Sequence, residues 1–181
     1  MKFLPSVWST VGVLVDIKKT TITIKDGTSP TPNEVAIKVG EGNITFTENR
    51  TIEYILDRGV IDEVREGDQV PLDVSFEFNW IYLTGSPSSG ALPTIKDALT
   101  NVGNASGWVS SDPDNCAPYA VDIEILYEPV CGKSAGIENE RITISDFRWE
   151  SLDHDLRAAT ISVTGRANVN LATAVRFPQT T

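Results

Sequence analysis

The one histidine of the chain lies in a short polar stretch that contains the residue types of a hydrolytic site. The stretch holds Ser151, Asp153, His154 and Asp155. A serine, a histidine and a carboxylate can act together as nucleophile, base and orienting group. Catalytic groups usually converge from distant segments, however, and several polar residues in one short run are typical of a solvated turn. We therefore expect a turn that joins two strands here, and no catalytic residue in the chain.

Motifs for binding metals or cofactors are incomplete. The stretch from Asp112 to Cys116 begins like a calcium loop, but a cysteine stands at the third ligand position, and the glycine and the distal glutamate are absent. The sequence contains no glycine-rich phosphate loop or dinucleotide fingerprint, and its two cysteines lack the paired spacing of a zinc site. The sequence therefore predicts a protein that is not an enzyme and that uses no metal and no cofactor.

The two cysteines, Cys116 and Cys131, flank a predicted strand from Tyr119 to Tyr127. Nine extended residues span about 30 Å, whereas a disulfide requires Cα atoms within roughly 7 Å of each other. We expect two free thiols, as is usual in a reducing cytosol, and an oxidised cysteine would need a partner on another subunit.

Length and charge exclude several classes of function. The chain has 181 residues, with 15 Lys and Arg against 25 Asp and Glu, and a formal net charge of −10. This length suits a single domain, and the acidic balance argues against tight binding of nucleic acid or anionic lipid. No stretch reaches the roughly 18 apolar residues of a membrane span. The run MKFLPSVWSTVGVLVDI is interpreted as mature protein rather than a signal peptide, because Pro5 and polar residues interrupt it.

Alternation of apolar and polar residues predicts a mainly β fold. Between Pro71 and Leu83 the apolar positions are Leu72, Val74, Phe76, Phe78, Trp80 and Tyr82, and the polar positions are Asp73, Ser75, Glu77 and Asn79. Successive side chains of a strand point to opposite faces, so this pattern predicts a half-buried antiparallel strand. The aromatic side chains of the stripe could form a carbohydrate platform, but their period of two favours a core face.

Other segments complete the predicted architecture. The stretch from Tyr119 to Tyr127 alternates in the same way, and shorter strand-like runs are Val13–Lys25, Glu34–Val39, Asn43–Thr47, Arg141–Trp149 and Leu156–Ala167. One stretch favours a helix, with Pro93 in the first turn, apolar residues at Ile95, Leu99 and Val102, and Gly103 as the stop. We expect one domain over residues 1–181, an antiparallel β-sandwich or barrel with one short flanking α-helix, and a C-terminal arm over residues 168–181.

The segment from Glu48 to Asp68 is the densest charge cluster of the chain. It holds seven acidic residues, three arginines and interspersed apolar residues at a spacing that fits a second surface helix. Gly59 would weaken such a helix by roughly 1 kcal/mol, and the segment joins two predicted strands as a hairpin connection would. We therefore favour a connection between two strands over a helix.

Several segments between residues 40 and 156 are similar in sequence to one protein family. They are GEGNITF (40–46), EYILDRGV (53–60), VREGD (64–68), DVSFEF (73–78), CAPYAVDIE (116–124) and DFRWESLDHDL (146–156). In these segments the chain resembles the tail tube (major tail) proteins of tailed bacteriophages. The resemblance implies a β-sandwich with one flanking helix, six copies of which form a ring in which neighbouring sheets join. Stacked rings would then form the conduit for genome DNA. The resemblance also implies that the connection from Glu48 to Asp68 is a long loop that reaches the adjacent ring, mobile in the free subunit and ordered on stacking.

The resemblance also implies partners, a location and functional surfaces. Expected partners are further copies of the chain and other tail proteins such as the tape measure and the terminator, in a virion tail assembled in the host bacterial cytoplasm. DNA would pass without specific binding, because acidic or neutral walls do not hold phosphates. The residues expected to line the lumen are Asp73, Ser75, Glu77, Asn79, Asp122 and Glu124. Contacts between rings, with the arginines pairing acidic groups on a neighbour, are expected from Arg50, Ile52, Ile55, Leu56, Arg58, Val60, Val64 and Arg65.

Two other functions remain open at this point. One is a monomeric or low-oligomer β-sandwich binding module, for instance one that recognises a glycan. The other is a small hydrolase that uses the abundant Asp and Glu residues.

Overall fold

The computed structural model of the chain describes residues 20–37, 43–79, 93–128 and 138–178. Within these ranges the elements are β1 (Thr20–Lys25), β2 (Glu34–Ile37), β3 (Ile44–Thr47), β4 (Ile52–Asp57), β5 (Val60–Glu66), β6 (Leu72–Asn79), α1 (Ile95–Thr100), β7 (Val121–Tyr127), β8 (Glu138–Asp155), β9 (Thr160–Ala167) and β10 (Thr173–Pro178). The predicted mainly β fold with one short α-helix is confirmed. The predictions for Trp80, Tyr82 and Cys131 lie outside the described residues.

Eight of the strands form one antiparallel sheet in the order β2-β1-β7-β8-β9-β6-β3, with β10 paired to β8. The 18-residue β8 is its central element, because its first half pairs with both β7 and β10 and its second half pairs with β9. Over the described residues the sheet does not close into a barrel, and the four-residue strands β2 and β3 form its two ends.

The alternation predicted for β6 is confirmed. Leu72, Val74, Phe76 and Phe78 are at most 3% exposed, whereas the polar residues between them face solvent. The ring centroid of Phe76 lies 5.8 Å from that of Phe147 on β8. The apolar faces of β1, β6, β7, β8 and β9 share one core with α1. The aromatic stripe is therefore a core face, and its described rings offer no carbohydrate platform.

Two bulges bend the central strand β8. At the first, the pairing with β7 shifts opposite Asp122, and Asp146 adopts a positive φ of 56°. At the second, the pairing with β9 shifts between Trp149 and Ser151. A Cβ atom on Gly165 of β9 would lie 2.1 Å from the carbonyl oxygen of Arg148, so only glycine allows the two backbones to approach this closely. Bulges of this kind re-aim side chains and increase the local twist.

The helix α1 is bounded by residues other than those that the sequence pattern suggested. Thr94 is the N-cap, and its side chain forms a capping box with Asp97. Pro93 therefore precedes the cap instead of lying in the first turn. The helix ends at Asn101, which takes the left-handed conformation with φ of 54°, so Gly103 is not the stop.

The predicted turn from Ser151 to Asp155 is wrong. These residues continue β8, and the turn lies at residues 156–159, so that β9 begins at Thr160. The Asp155 carboxylate accepts the backbone N–H groups of Arg157 and Ala158 at 2.8 and 3.0 Å, which fixes a turn that begins directly after the polar stretch. Polar residues are as common on the exposed face of a strand as they are in a turn.

The segment from Glu48 to Asp68 forms neither a helix nor an irregular loop. It contains the hairpin of β4 and β5, which pair with each other and with no other described strand. The connection between them is Arg58 and Gly59, both with positive φ (50° and 85°), as a two-residue type I′ turn requires. The flanking strands β3 and β6 do pair with each other, as expected for strands joined by a hairpin connection.

The expected C-terminal arm includes a regular strand. After β9 the chain leaves β8 for five residues and then returns to it as β10, beside Glu138–Thr143. Most residues of β10 are exposed, so the strand lengthens the sheet without adding to the core.

Candidate functional site

Four of the six expected lumen residues lie on one exposed strand face. Asp73, Ser75 and Glu77 of β6 face away from the core, and Asn79 is half-buried at the end of the strand. Opposite them on β9 are Arg166, Thr164, Ser162 and Thr160, and Ser151 continues the row on β8. We call this outward surface of β6, β9 and the second half of β8 the polar sheet face.

Basic side chains on the polar sheet face are held in ion pairs. Arg166 Nε lies 3.2 Å from Asp73 Oδ1, and Arg166 Nη1 lies 3.7 Å from Glu150 Oε1. Arg148 is bound by the Asp112 carboxylate and donates from Nε to the Pro118 carbonyl at 3.0 Å. Glu77 has no basic partner among the described residues. As far as the structure describes it, the face therefore presents acid and hydroxyl groups without an uncompensated cation.

The other two expected lumen residues, Asp122 and Glu124, lie on β7 and are half-buried. Glu124 Oε2 lies 2.9 Å from Lys25 Nζ and 3.5 Å from Arg141 Nε. Asp122 Oδ1 accepts the N–H of Asp146 at 3.0 Å. The six residues thus form two groups, an exposed one on β6 and an ion-paired or hydrogen-bonded one on β7, with β8 and β9 between them.

Burial raises the pKa of the Asp122 carboxyl above its usual value, and the nearby Asp146 carboxylate acts in the same direction. Hydrogen bonds from Asp146 and Ser111 and the charge of Lys25 oppose the rise. Desolvation disfavours the charged form of a carboxyl group, which is why burial dominates here. Asp122 is therefore a costly charge for the folded protein rather than an exposed wall group.

The hairpin of β4 and β5 has one apolar face and one charged face. The pairing of Tyr54 with Val64 and of Leu56 with Ile61 sets the two sides. We call the apolar side the apolar hairpin face, and it consists of Ile52, Tyr54, Leu56, Ile61 and Val64, which are 43–60% exposed. Tyr54 and Ile61 are not among the expected contact residues, because the expected set follows a helical spacing, whereas a strand has a period of two.

The remaining expected contact residues lie elsewhere on the hairpin. Ile55, Val60 and Arg65 belong to the charged side, and Arg58 is in the turn. Arg65 Nη2 lies 2.7 Å from Glu63 Oε2, and a matching pair joins Arg50 to Glu66 at 3.2 Å. In the single chain these two arginines pair within their own segment rather than with a neighbour.

The hydrolytic residue types do not converge. Ser151 and Asp153 lie on the polar sheet face, whereas His154 lies on the opposite side of β8, with its Nδ1 3.2 Å from the Leu152 carbonyl. Ser151 Oγ instead contacts Thr164 Oγ1 at 2.7 Å. Strand geometry separates neighbours in sequence, which is why a compact polar run does not make a triad.

The calcium-like stretch folds as consecutive turns. The N–H of Asp114 binds Asp112 Oδ1, and the N–H of Cys116 binds Asp114 Oδ1, both at 2.9 Å. No group of three or more His, Cys, Asp or Glu side chains in the described ranges is placed to hold a metal ion. The Cys116 thiol is free and exposed.

One carboxylate anchors the loops beside these turns. Asp26 is only 3% exposed and accepts hydrogen bonds from both the backbone and the side chain of Thr28 and of Asn33, and from the backbone of Val109. Burial acts to raise the pKa of Asp26, but hydrogen bonds from Thr28, Asn33 and Val109 to the charged form outweigh it and hold the pKa below the usual 3.8. Asp26 is thus a structural anion, not a catalytic one.

A cleft of about 480 Å³ opens next to this anchor. It lies between the C-terminal end of α1 and the loop that leads into β7, and its lining includes Asn101, Trp108, Asp114, Asn115 and Tyr119. A smaller depression of about 240 Å³ lies on the polar sheet face around Asp73, Glu150 and Arg166.

Comparisons with known proteins place the chain in no family. No family model, no curated protein and no solved structure matches it. Among the described residues, no helix has the length and apolar character needed to cross a membrane.

Proposed function

We propose that the chain is a structural subunit of a bacteriophage tail tube, in which hexameric rings stack to form the channel for genome DNA. The observation that carries this proposal is the apolar hairpin face, with five large apolar side chains 43–60% exposed on an element that pairs with no other described strand. Clustered apolar side chains of this kind are typical of surfaces that associate with another protein. The hairpin is where the sequence expectation placed the contact between rings.

The ends of the sheet support closure into a ring. The terminal strands β2 and β3 each leave one edge of backbone donors and acceptors unpaired with any described strand. Open edges favour association with other chains, and a closed ring of subunits removes them. Six copies that join edge to edge would satisfy these groups.

The charges of the polar sheet face support its placement along the channel. Its arginines are paired with carboxylates, and Glu77 adds a negative charge that no basic side chain of the described residues pairs. DNA adheres to proteins mainly through Lys and Arg contacts that release counterions. A wall of acid and hydroxyl groups would let DNA pass without specific binding.

The proposal fixes the partners and the location. The partners are further copies of the chain and other tail proteins, such as the tape measure and the terminator. The setting is the virion tail, after assembly in the cytoplasm of the bacterial host.

The contact between rings is tested on the hairpin. Deleting residues 52–64 should leave a folded monomer that no longer polymerises, because the hairpin adds nothing to the described core. The triple variant Tyr54→Ser, Leu56→Ser and Val64→Ser should have the same effect with the hairpin retained. Sedimentation and electron microscopy give the readout. The control is Glu53→Gln with Glu63→Gln on the charged side, which should still form tubes; tubes from the deletion variant would refute this account of ring stacking.

The channel wall is tested on β6. Asp73→Lys with Glu77→Lys should leave assembly largely intact while slowing DNA delivery, because the added cations bind phosphates. Asp73→Asn with Glu77→Gln is the matched control, since it removes the acids without adding cations, and should deliver DNA at nearly the normal rate. Normal delivery by the lysine variant would place the polar sheet face away from the channel.

A further inference from the structure

The cleft beside α1 unites two features that the tail-tube function does not use. Neither Trp108 nor the turns of Asp112 to Cys116 belong to the expected channel wall or ring contact, and both line the same cavity. Its volume of about 480 Å³ falls within the range of about 300–1,000 Å³ that is usual for small-molecule sites.

Two aromatic side chains form part of the cleft wall. Trp108 and Tyr119 are half-buried and pack against the hydrophobic core. Tyr119 is fixed by its hydroxyl, which donates to the Ala98 carbonyl at 3.1 Å. Burial raises the pKa of Tyr119 to about 12, so the hydroxyl stays protonated as that donor. Aromatic rings with one side held by the core offer rigid apolar surface to a ligand.

Neutral hydrogen-bonding groups supply most of the remaining lining. Asn101 holds a buried Oδ1 atom with no hydrogen-bond partner among the described residues. Such an atom is costly to leave unpaired and is usually met by water or by a ligand. Asn115 is exposed at the rim. Amide groups both donate and accept, which suits a ligand rich in hydroxyl groups.

The charged side chains that line the cleft disfavour an anionic ligand and do not require a cationic one. The carboxylate of Asp112 is engaged on both oxygens, by the N–H of Asp114 and by Arg148. Among the described residues, Asp114 is the one lining carboxylate without an arginine or lysine partner, and it is exposed. A single solvated carboxylate can accept hydroxyl groups, whereas an anionic ligand would meet it without any lining cation.

We propose that this cleft binds a neutral saccharide, with the sugar ring against Trp108 and Tyr119 and its hydroxyl groups on Asn101, Asp114 and Asn115. The walls are held in place before binding, because Asp26 anchors the backbone of Val109 and Arg148 fixes Asp112. Preformed walls reduce the ordering cost of binding. None of the lining residues is among those expected to line the channel or to join rings, so binding and polymerisation can fail independently.

The test is isothermal titration of the full chain with the methyl glycosides of glucose, galactose, mannose, rhamnose and N-acetylglucosamine. Tetramethylammonium chloride and N-acetylneuraminic acid serve as cationic and anionic probes. Saturable binding of at least one neutral glycoside is expected, with little dependence on salt, because no charge is paired. Absence of binding by every neutral glycoside, or binding of tetramethylammonium or N-acetylneuraminic acid alone, would overturn the proposal.

Substitutions locate the binding. Trp108→Ala should weaken it at least about tenfold, whereas Trp149→Ala, which removes the 41% exposed tryptophan at the second bulge, should leave it unchanged. Asp114→Asn keeps an oxygen acceptor for the Cys116 N–H and should retain binding within about threefold. If Trp108→Ala does not fold, Asn115→Ala at the exposed rim gives the same test, with a loss of about fivefold expected. Equal losses in the Trp149 variant, or none in either the Trp108 or the Asn115 variant, would place the sugar elsewhere and refute the assignment.

Discussion

The hairpin of β4 and β5 and the strand β6 both alternate apolar and polar side chains, but the apolar side chains are buried only on β6. On β6 the apolar residues are at most 3% exposed, because they pack against Phe147 and the other sheet residues of the core. On the hairpin the apolar residues are 43–60% exposed. An alternating pattern therefore identifies a face that favours burial, but it does not say whether the covering surface belongs to the same chain.

The largest expected difference between the two regions is in folding stability. Phe147→Ala should lower the free energy of unfolding by about 3–5 kcal/mol, because it opens a cavity beneath Phe76 in a fully packed core. Tyr54→Ala on the hairpin should change it by less than about 0.5 kcal/mol, as is usual for exposed positions. Urea unfolding of the unassembled chain measures both. Similar losses for the two variants would mean that the hairpin is part of the core.

The next largest effect is expected at the loop anchor. Asp26→Ala should cost about 2–3 kcal/mol, because it leaves the N–H groups of Thr28, Asn33 and Val109 without their acceptor. The pKa of Asp26 is lower in the folded chain than the usual 3.8. Its contribution is therefore present above about pH 4 and is lost as the pH falls through the lowered pKa. The free energies of unfolding of the variant and the parent should converge in acid. A difference that stays constant with pH would show that the charged hydrogen bonds are not its cause.

The sequence was most informative where the structure is regular and locally determined. The faces of β6 and β7 follow directly from residues two apart. The turn after β8 could not be placed, because Ser151 and Asp153 are compatible with either a turn or an exposed strand, and pairing with β9 decides. The hairpin turn at Arg58 and Gly59 was obscured because arginine rarely occupies a left-handed position.

The functional surfaces were predictable only in part. The outward position of Asp73, Ser75 and Glu77 follows from alternation. The burial of Asp122 does not follow from alternation, because it depends on a bulge at Asp146 that the local sequence pattern does not indicate. The cleft could not be predicted from the sequence either, because the loop before β7 meets the end of α1 and the distant turn at Gly27 only in the folded chain.

Asp122 provides an intermediate effect of opposite sign to Asp26. Its folded pKa is raised by burial, so stability is lost as the pH rises from the usual 3.8 through the raised pKa. Asp122→Asn keeps an oxygen for the Asp146 N–H and removes the buried charge. At neutral pH the variant should be equal to the parent or more stable by up to about 1 kcal/mol, with the gain vanishing in acid. A clear loss at neutral pH would mean that the Asp122 charge is needed.

The smallest expected effect on global stability concerns the hairpin turn itself, where the changes stay local. Asparagine followed by glycine is the preferred pair for a type I′ turn, so Arg58→Asn should favour the hairpin by about 0.5 kcal/mol. Gly59→Ala should disfavour it by about 1–2 kcal/mol, because an L side chain is strained at a φ of 85°. Amide hydrogen exchange of β4 and β5 should slow about twofold in the first variant and quicken in the second. The midpoint of global unfolding should stay unchanged in both, because the hairpin pairs with no other described strand. A shift of that midpoint in step with the exchange rates would show that the hairpin and the core unfold together, and the contrast between the two regions would then disappear.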